Sequence, residues 1–248
     1  GPKGDRFAIK VLREAHRGVQ QYATRLLQEG RVLAAMEHAH LIPVHDIGMT
    51  WDGRPFLVMP RLAGQTLREY LANHGPLEPS KAVTLLSGVL DGLHQAHRRG
   101  IVHRDVKPGN IFVETNADGA LVRALLFDFG IAKIREGTTF TVTGAFIGTC
   151  RYMAPEQVKT PQLADLRSDV YSLGVTLYEL CTGRVPFDYG NHFAVMMAQV
   201  QDAPAPPSLL RSDIPEPLEA LILQALAKSP ADRPATCRIF REAFDAAL

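Results

Sequence analysis

The residues best suited to chemistry fall in one short run, His103-Arg104-Asp105-Val106-Lys107-Pro108-Gly109-Asn110. It sets a carboxylate, an ammonium group two places on and a carboxamide five places on among turn-forming residues. Eighteen residues after Asn110, a second carboxylate opens Asp128-Phe129-Gly130. Far upstream, Lys10 sits in the apolar run Phe7-Ala8-Ile9-Lys10-Val11-Leu12. A held cation, two hard-oxygen ligands for a divalent ion and a carboxylate facing a hydroxyl are what phosphoryl transfer asks for, since the protein's task there is positioning and charge neutralisation. Singly, Asp105 or Asp128 reads as a turn residue or helix cap. Their joint spacing argues against that.

Such residues need elements to hold them. The run at 7–12, bounded by Gly4-Asp5, predicts a strand. Tyr22, Leu26, Leu33 and Met36 fall near one face of a helix over about 19–36. Residues 42–47 and 55–59 read as two more strands around the turn Trp51-Asp52-Gly53, and Pro60 and Gly64 then break the pattern. The rest is mainly helical. Leu86, Val89, Leu90, Leu93 and His97 repeat at helical spacing and stop at Gly100. Residues 111–113 and 121–127 flank Asn116-Ala117-Asp118-Gly119 as a hairpin. Residues 144–155 lack a period and predict a loop, whereas 169–180 are apolar nearly all round and predict a helix buried on every side. Two further helices are predicted over 217–228 and from about Ala235 onward.

Composition narrows the function classes. A hydrophobic fraction of 46% and a charged fraction of 21% suit an ordinary globular chain. A net charge of +1 gives no argument for nucleic acid or an anionic membrane surface. Cys150, Cys181 and Cys237 show no paired spacing and read as reduced thiols. No stretch reaches the roughly 20 apolar residues of a membrane span. His38, His40 and His45, and the pair His94/His97, lack a cysteine or carboxylate to complete a zinc set, so they read as solvated or core histidines.

Ala154-Pro155-Glu156 adds a further signal, and Phe7-Ala8-Ile9-Lys10 is a variant of Val-Ala-Ile-Lys. With the Asp105 and Asp128 runs these stand in an order that resembles the protein-kinase superfamily over essentially the whole chain, most closely bacterial eukaryotic-like Ser/Thr kinases. The resemblance implies a two-lobed α+β fold and a single domain over residues 1–248. A small β-rich lobe, here incomplete, and its connection would occupy 1–62, and a larger, mainly helical lobe 63–248.

The resemblance also implies ATP, Mg²⁺ and a set of roles. Lys10 would hold the α- and β-phosphates and be oriented by Glu29, which shares a helix face with Leu26 and Leu33. The alternative for Glu29 is a plain surface glutamate, as for Glu14 and Glu37. Asn110 and Asp128 would hold Mg²⁺, Asp105 would accept the substrate proton, and Lys107 would stabilise the γ-phosphoryl group. Adenine would lie between Ala8 and Phe112, next to Met59 and the backbone of Pro60 and Leu62. Lys107 and Gly148-Thr149 point to Ser/Thr rather than tyrosine substrates. His103 and Phe129 would stack beneath Leu33, Asp169 would bond the catalytic-loop backbone, and Glu156 would pair with Arg233. Arg104 would meet a phosphate on Thr141 or Thr143; the plain reading of Thr138, Thr139, Thr141 and Thr143 is a solvated loop.

One part of the pattern fails. Only nine residues precede Lys10, and Gly1-Pro2-Lys3-Gly4 does not match Gly-x-Gly-x-x-Gly. That predicts weak ATP binding, low or no activity in this chain, and an unpaired sheet edge open to self-association or a homodimer. The expected function is transfer of the ATP γ-phosphoryl group to Ser/Thr hydroxyls of proteins, the chain itself included. The alternative is a catalytically impaired scaffold or interaction module, with a small-molecule phosphotransferase as a weaker rival. Expected partners are protein substrates, with no nucleic acid and no membrane segment within the chain. The expected location is cytoplasmic, any membrane tether lying in segments outside this chain.

Overall fold

The apolar run around Lys10 forms strand β1 (Phe7–Val11), which pairs antiparallel with β3 (Pro55–Pro60) and not with its neighbour in sequence, β2 (Asp46–Met49). The sheet order is β1-β3-β2, with Lys10 opposite Leu57 and Ala8 opposite Met59. The structure, a computed structural model, describes residues 6–11, 27–28, 30–129 and 150–247. Among them β1 is an edge strand, and Ile9 is 66% exposed on it. The β2–β3 turn is closed by Thr50 N–H on Arg54 O, with Gly53 at φ 79° where a side chain would be strained.

One strand expectation needs correction. The strand runs over Asp46–Met49, so 42–45 of the predicted strand lie outside it. Leu41 instead bridges Leu126, and Ile42 N–H bonds Leu126 O. The apolar run from Leu41 is a cover for the interior of the larger lobe, where Leu41 is buried. A short apolar run reads alike in either role. Of the predicted helix at 19–36, the described residues 27–28 and 30–34 are helical, and Leu33 and Met36 point inward.

Beyond Pro60 the chain forms a second sheet of order β4-β5-β6, from β4 (Gln65–Thr66), β5 (Ile111–Thr115) and β6 (Leu121–Leu126). The β5–β6 hairpin is as expected. Its turn is shaped by the Asn116 carboxamide oxygen, which accepts from Asp118 N and Ala120 N. Thr66 caps helix α1 (Leu67–His74): its hydroxyl accepts from Glu69 N while the Glu69 carboxylate accepts from Thr66 N. Helix α2 (Pro79–His97) runs through the core to the turn at Gly100.

Short helix α3 (Pro155–Lys159) precedes α4 (Leu166–Thr182), which is buried on nearly every side, as its sequence predicts. Gly183, at φ 76°, ends it in the left-handed conformation. Helices α5 (His192–Gln201), α6 (Glu216–Ala225) and α7 (Cys237–Ala246) complete the lobe. One buried cluster runs from Leu33 to Ala247 through α2, α4 and α6. No helix among the described residues is long and apolar enough to cross a membrane.

Candidate active site

The loop from α2 to β5 is fixed by main-chain bonds before any of its side chains act. Asp169, fully buried in the first turn of α4, accepts from His103 N at 2.8 Å and Arg104 N at 2.7 Å. It also accepts from His97 Nε2 at 2.7 Å; a carboxylate can only accept, so that nitrogen carries the proton. Arg104 is held at φ 63°, a left-handed geometry that costs a non-glycine residue about 1–2 kcal/mol. The Asp169 bonds, and Gln157 Nε2 on Arg104 O at 3.1 Å, hold it there.

His103 joins the two motif runs. Its Nδ1 accepts from Asp105 N at 3.2 Å, so Nε2 bears the hydrogen and donates to Phe127 O at 3.0 Å. Phe127 N–H returns a bond to Asn110 O at 3.0 Å. The imidazole also meets the Phe129 ring at 4.5 Å between centroids. A fully buried histidine thereby ties residues 103–110 to 127–129.

Upon this frame the polar side chains converge. Lys107 Nζ lies 2.9 and 3.1 Å from the Asp105 carboxylate oxygens. Asn110 Nδ2 donates to Asp105 Oδ2 at 3.0 Å and Asp105 O at 2.8 Å, so its Oδ1 is the atom left as a hard-oxygen donor. Asp128, at φ 62°, is paired directly with Lys10 from the small sheet. Asp105 is 10% exposed and Asp128 30%, so the first is sheltered and the second opens to solvent. Met59, Leu57, Leu33, Met36 and Phe129 line a cavity of about 30 Å³ that Asp128 also borders.

Lys10, Asp105, Lys107, Asn110 and Asp128 are thus gathered into two bonded groups linked through Phe127. Ala8 and Met59 stand side by side on β1 and β3, with Pro60 at the end of β3 and Leu62 beyond it. Phe112 is on β5, opposite Leu125 and Thr66. Glu29, Thr141 and Thr143 lie outside the described residues, as do Gly130, Thr138, Thr139 and Gly148-Thr149.

Below the site, the Glu156 carboxylate meets the Arg233 guanidinium through two 2.8 Å bonds, and Ser168 Oγ donates to it at 2.7 Å. Burial pushes the Glu156 carboxyl up, but the Arg233 bonds and charge with the Ser168 bond outweigh it and hold the group below its ordinary value. Sequence reasoning missed the residues that connect this pair to the loop. Gln157 is one; its Oε1 caps Ala154 N while its nitrogen bonds Arg104 O. The signal was available, since a glutamine at the third position of a helix is a capping residue. Among the histidines, His40 Nδ1 bonds Ala124 O, and burial together with His40 lowers the His38 pKa despite Asp91. Among the described residues, no three His, Cys, Asp or Glu side chains gather as a metal set.

Comparison with known proteins agrees with this arrangement. The sequence profile of the family described as "Protein kinase domain" matches residues 2–244. The chain is 42% identical over 228 residues to serine/threonine-protein kinase PknL of Mycobacterium tuberculosis, covering 91% of this chain and 55% of that protein. It is 39% identical over 245 residues to serine/threonine-protein kinase pkn3 of Myxococcus xanthus, covering 96% and 44%. It therefore spans about half the length of these relatives. Among solved structures, the Mycobacterium tuberculosis PknI kinase domain superposes with a TM-score of 0.75 at 29% identity, over 98% of this chain and 86% of that one.

Proposed function

The chain belongs to the protein kinase domain family, and on that premise we propose that it transfers the γ-phosphoryl group of ATP to serine and threonine hydroxyls of proteins. Use of ATP and a divalent metal comes with the family. The observation that carries the reading is the Asp105–Lys107–Asn110 cluster bonded through Phe127 to the segment of Asp128, which meets Lys10. A scaffold has no physical need to hold two residues in left-handed geometry in gathering these groups.

The donor set fits Mg²⁺: the Asp128 carboxylate and Asn110 Oδ1 are the hard oxygens this ion prefers. When bound, the ion supplies charge neutralisation for the phosphates. Lys10 binds the α- and β-phosphates from the small sheet. Asp105 orients the incoming hydroxyl and accepts its proton, while Lys107 stands against the transferring group. Met59, Pro60, Leu62, Ala8 and Phe112 form the adenine site, and Glu29 orients Lys10. Residues 1–62 act as the smaller lobe with its connection and 63–248 as the larger. Protein substrates include the chain itself, at Thr141 and Thr143, and self-association runs through the edge of β1 that is unpaired among the described residues. Three buried thiols, Cys150, Cys181 and Cys237, suit a reducing, cytoplasmic setting.

The test is transfer of radiolabelled γ-phosphate from ATP to a general protein substrate, with phosphoamino-acid analysis and peptide mapping. Phosphoserine and phosphothreonine are the expected products, with autophosphorylation between Gly137 and Gly144. Phosphotyrosine alone, or phosphate only on added small molecules, overturns the reading.

A further inference from the structure

Helix α5 carries a glutamine, Gln199, that is fully buried and faces the body of the larger lobe. Its amide is fully used. Nε2 donates to Arg151 O at 2.5 Å and to Cys150 O at 3.4 Å, and Oε1 accepts the Tyr171 hydroxyl from α4. Two carbonyls can only accept, so the nitrogen must face them. Lys228, beyond the end of α6, secures the helix that bears this side chain. Its Nζ donates to Gln199 O at 2.9 Å and Ala198 O at 3.2 Å, and lies 4.4 Å from the Phe187 ring centre. A cation at those last-turn carbonyls also meets the negative end of the helix dipole.

The carbonyls that Gln199 holds belong to the segment leading into α3. Ser172 Oγ holds the next carbonyl, Tyr152 O, at 2.7 Å. Three residues after Ala154, Gln157 bonds Arg104 O, directly before Asp105. The main chain from 150 to 157 is therefore pinned at one end by α5 and at the other against the loop of the proton acceptor. A cavity of about 490 Å³ opens against Cys150 and Arg151, lined further by Asp188, Asn191, His192 and Val195. Packing alone would be served by an apolar side chain of the same length. Two donors aimed at two successive carbonyls instead set where that main chain lies.

Resting on the proposed phosphoryl transfer, we propose that Gln199 is a positioning residue for the protein substrate: it fixes the main chain at Cys150–Arg151, beside which the substrate hydroxyl is presented to Asp105. Tyr171 and Lys228 hold Gln199 in that task. The effect belongs on the protein substrate and not on ATP, because Gln199 bonds the main chain at Cys150–Arg151, whereas the Lys10–Asp128 pair that meets the phosphates is carried by β1 and the segment after β6.

Gln199→Met keeps the length and removes both donors, whereas Tyr171→Phe keeps the donors and frees the amide to turn; the second serves if the first does not fold. The expected result is a KM for a peptide substrate raised about tenfold or more in Gln199→Met, less in Tyr171→Phe, with the KM for ATP within about twofold. Hydrogen exchange at amides 150–154 should quicken while that of α2 stays unchanged. An unchanged peptide KM, or peptide KM, ATP KM and Tm shifting together, overturns the assignment. If the unaltered chain transfers no phosphate to protein, the proposed function falls, and exchange at 150–154 then decides by itself whether Gln199 holds the segment.

Discussion

Asp105 takes its orientation from Lys107 and Asn110, and the arginine far from it, Arg233, is held more firmly still. Its guanidinium is wholly buried and bonded to Glu156 and to the carbonyls of Ala227, Arg167 and Lys228. Arg233→Ala leaves Glu156 buried without its cation and should cost about 3–5 kcal/mol. Urea denaturation measures this, and an unshifted midpoint contradicts it. The same pair gives a pH dependence. The folded Glu156 carboxyl lies below its ordinary value, so its stabilisation is present above the unfolded value and lost as pH falls through the folded one. Glu156→Gln should flatten the acid limb of a stability–pH curve, and a limb of unchanged slope speaks against it. Charged residues such as Asp169, Glu156 and Arg233 were legible in the sequence because the family motifs flag them. Gln199 and Gln157 were not: a neutral amide carries no charge pattern, and its partners are carbonyls of any residue.

Elements with one unmistakable period were readable from sequence, α2 and α4 above all, and so was the Asn116 hairpin. Strand β2 was misplaced because apolar side chains at 41–44 cover a core without joining the small sheet. Helix α1 escaped notice although Thr66-x-x-Glu69 spells out its cap. What no local pattern conveys is how closely two helices approach. A Cβ on Gly174 of α4 would lie 2.8 Å from Ala225 Cβ of α6, so the helices meet across a position that tolerates no side chain. Gly174→Val should therefore destabilise the protein by about 1–3 kcal/mol through overpacking. A thermal melt reads the loss, and a variant as stable as the parent would mean that α4 and α6 separate freely.

At the scale of the whole molecule, the site exists because two sheets and a buried helix bring distant residues together. Lys10 and Asp128 are 118 residues apart in sequence, and their pairing follows from the family pattern rather than from any property of either run. Asp169 and His103 likewise meet across 66 residues. The motif order groups Lys10, Asp105, Asn110 and Asp128, while the bonds through Phe127 that join them appear only in three dimensions. The most direct measurement is the single-turnover rate of phosphoryl transfer from ATP to a protein hydroxyl, with Asp105→Asn set beside the unaltered chain. The predicted result is a rate lowered about 10²–10⁴-fold at a nearly unchanged Tm. Equal rates in the two proteins, or no transfer by either, would contradict it.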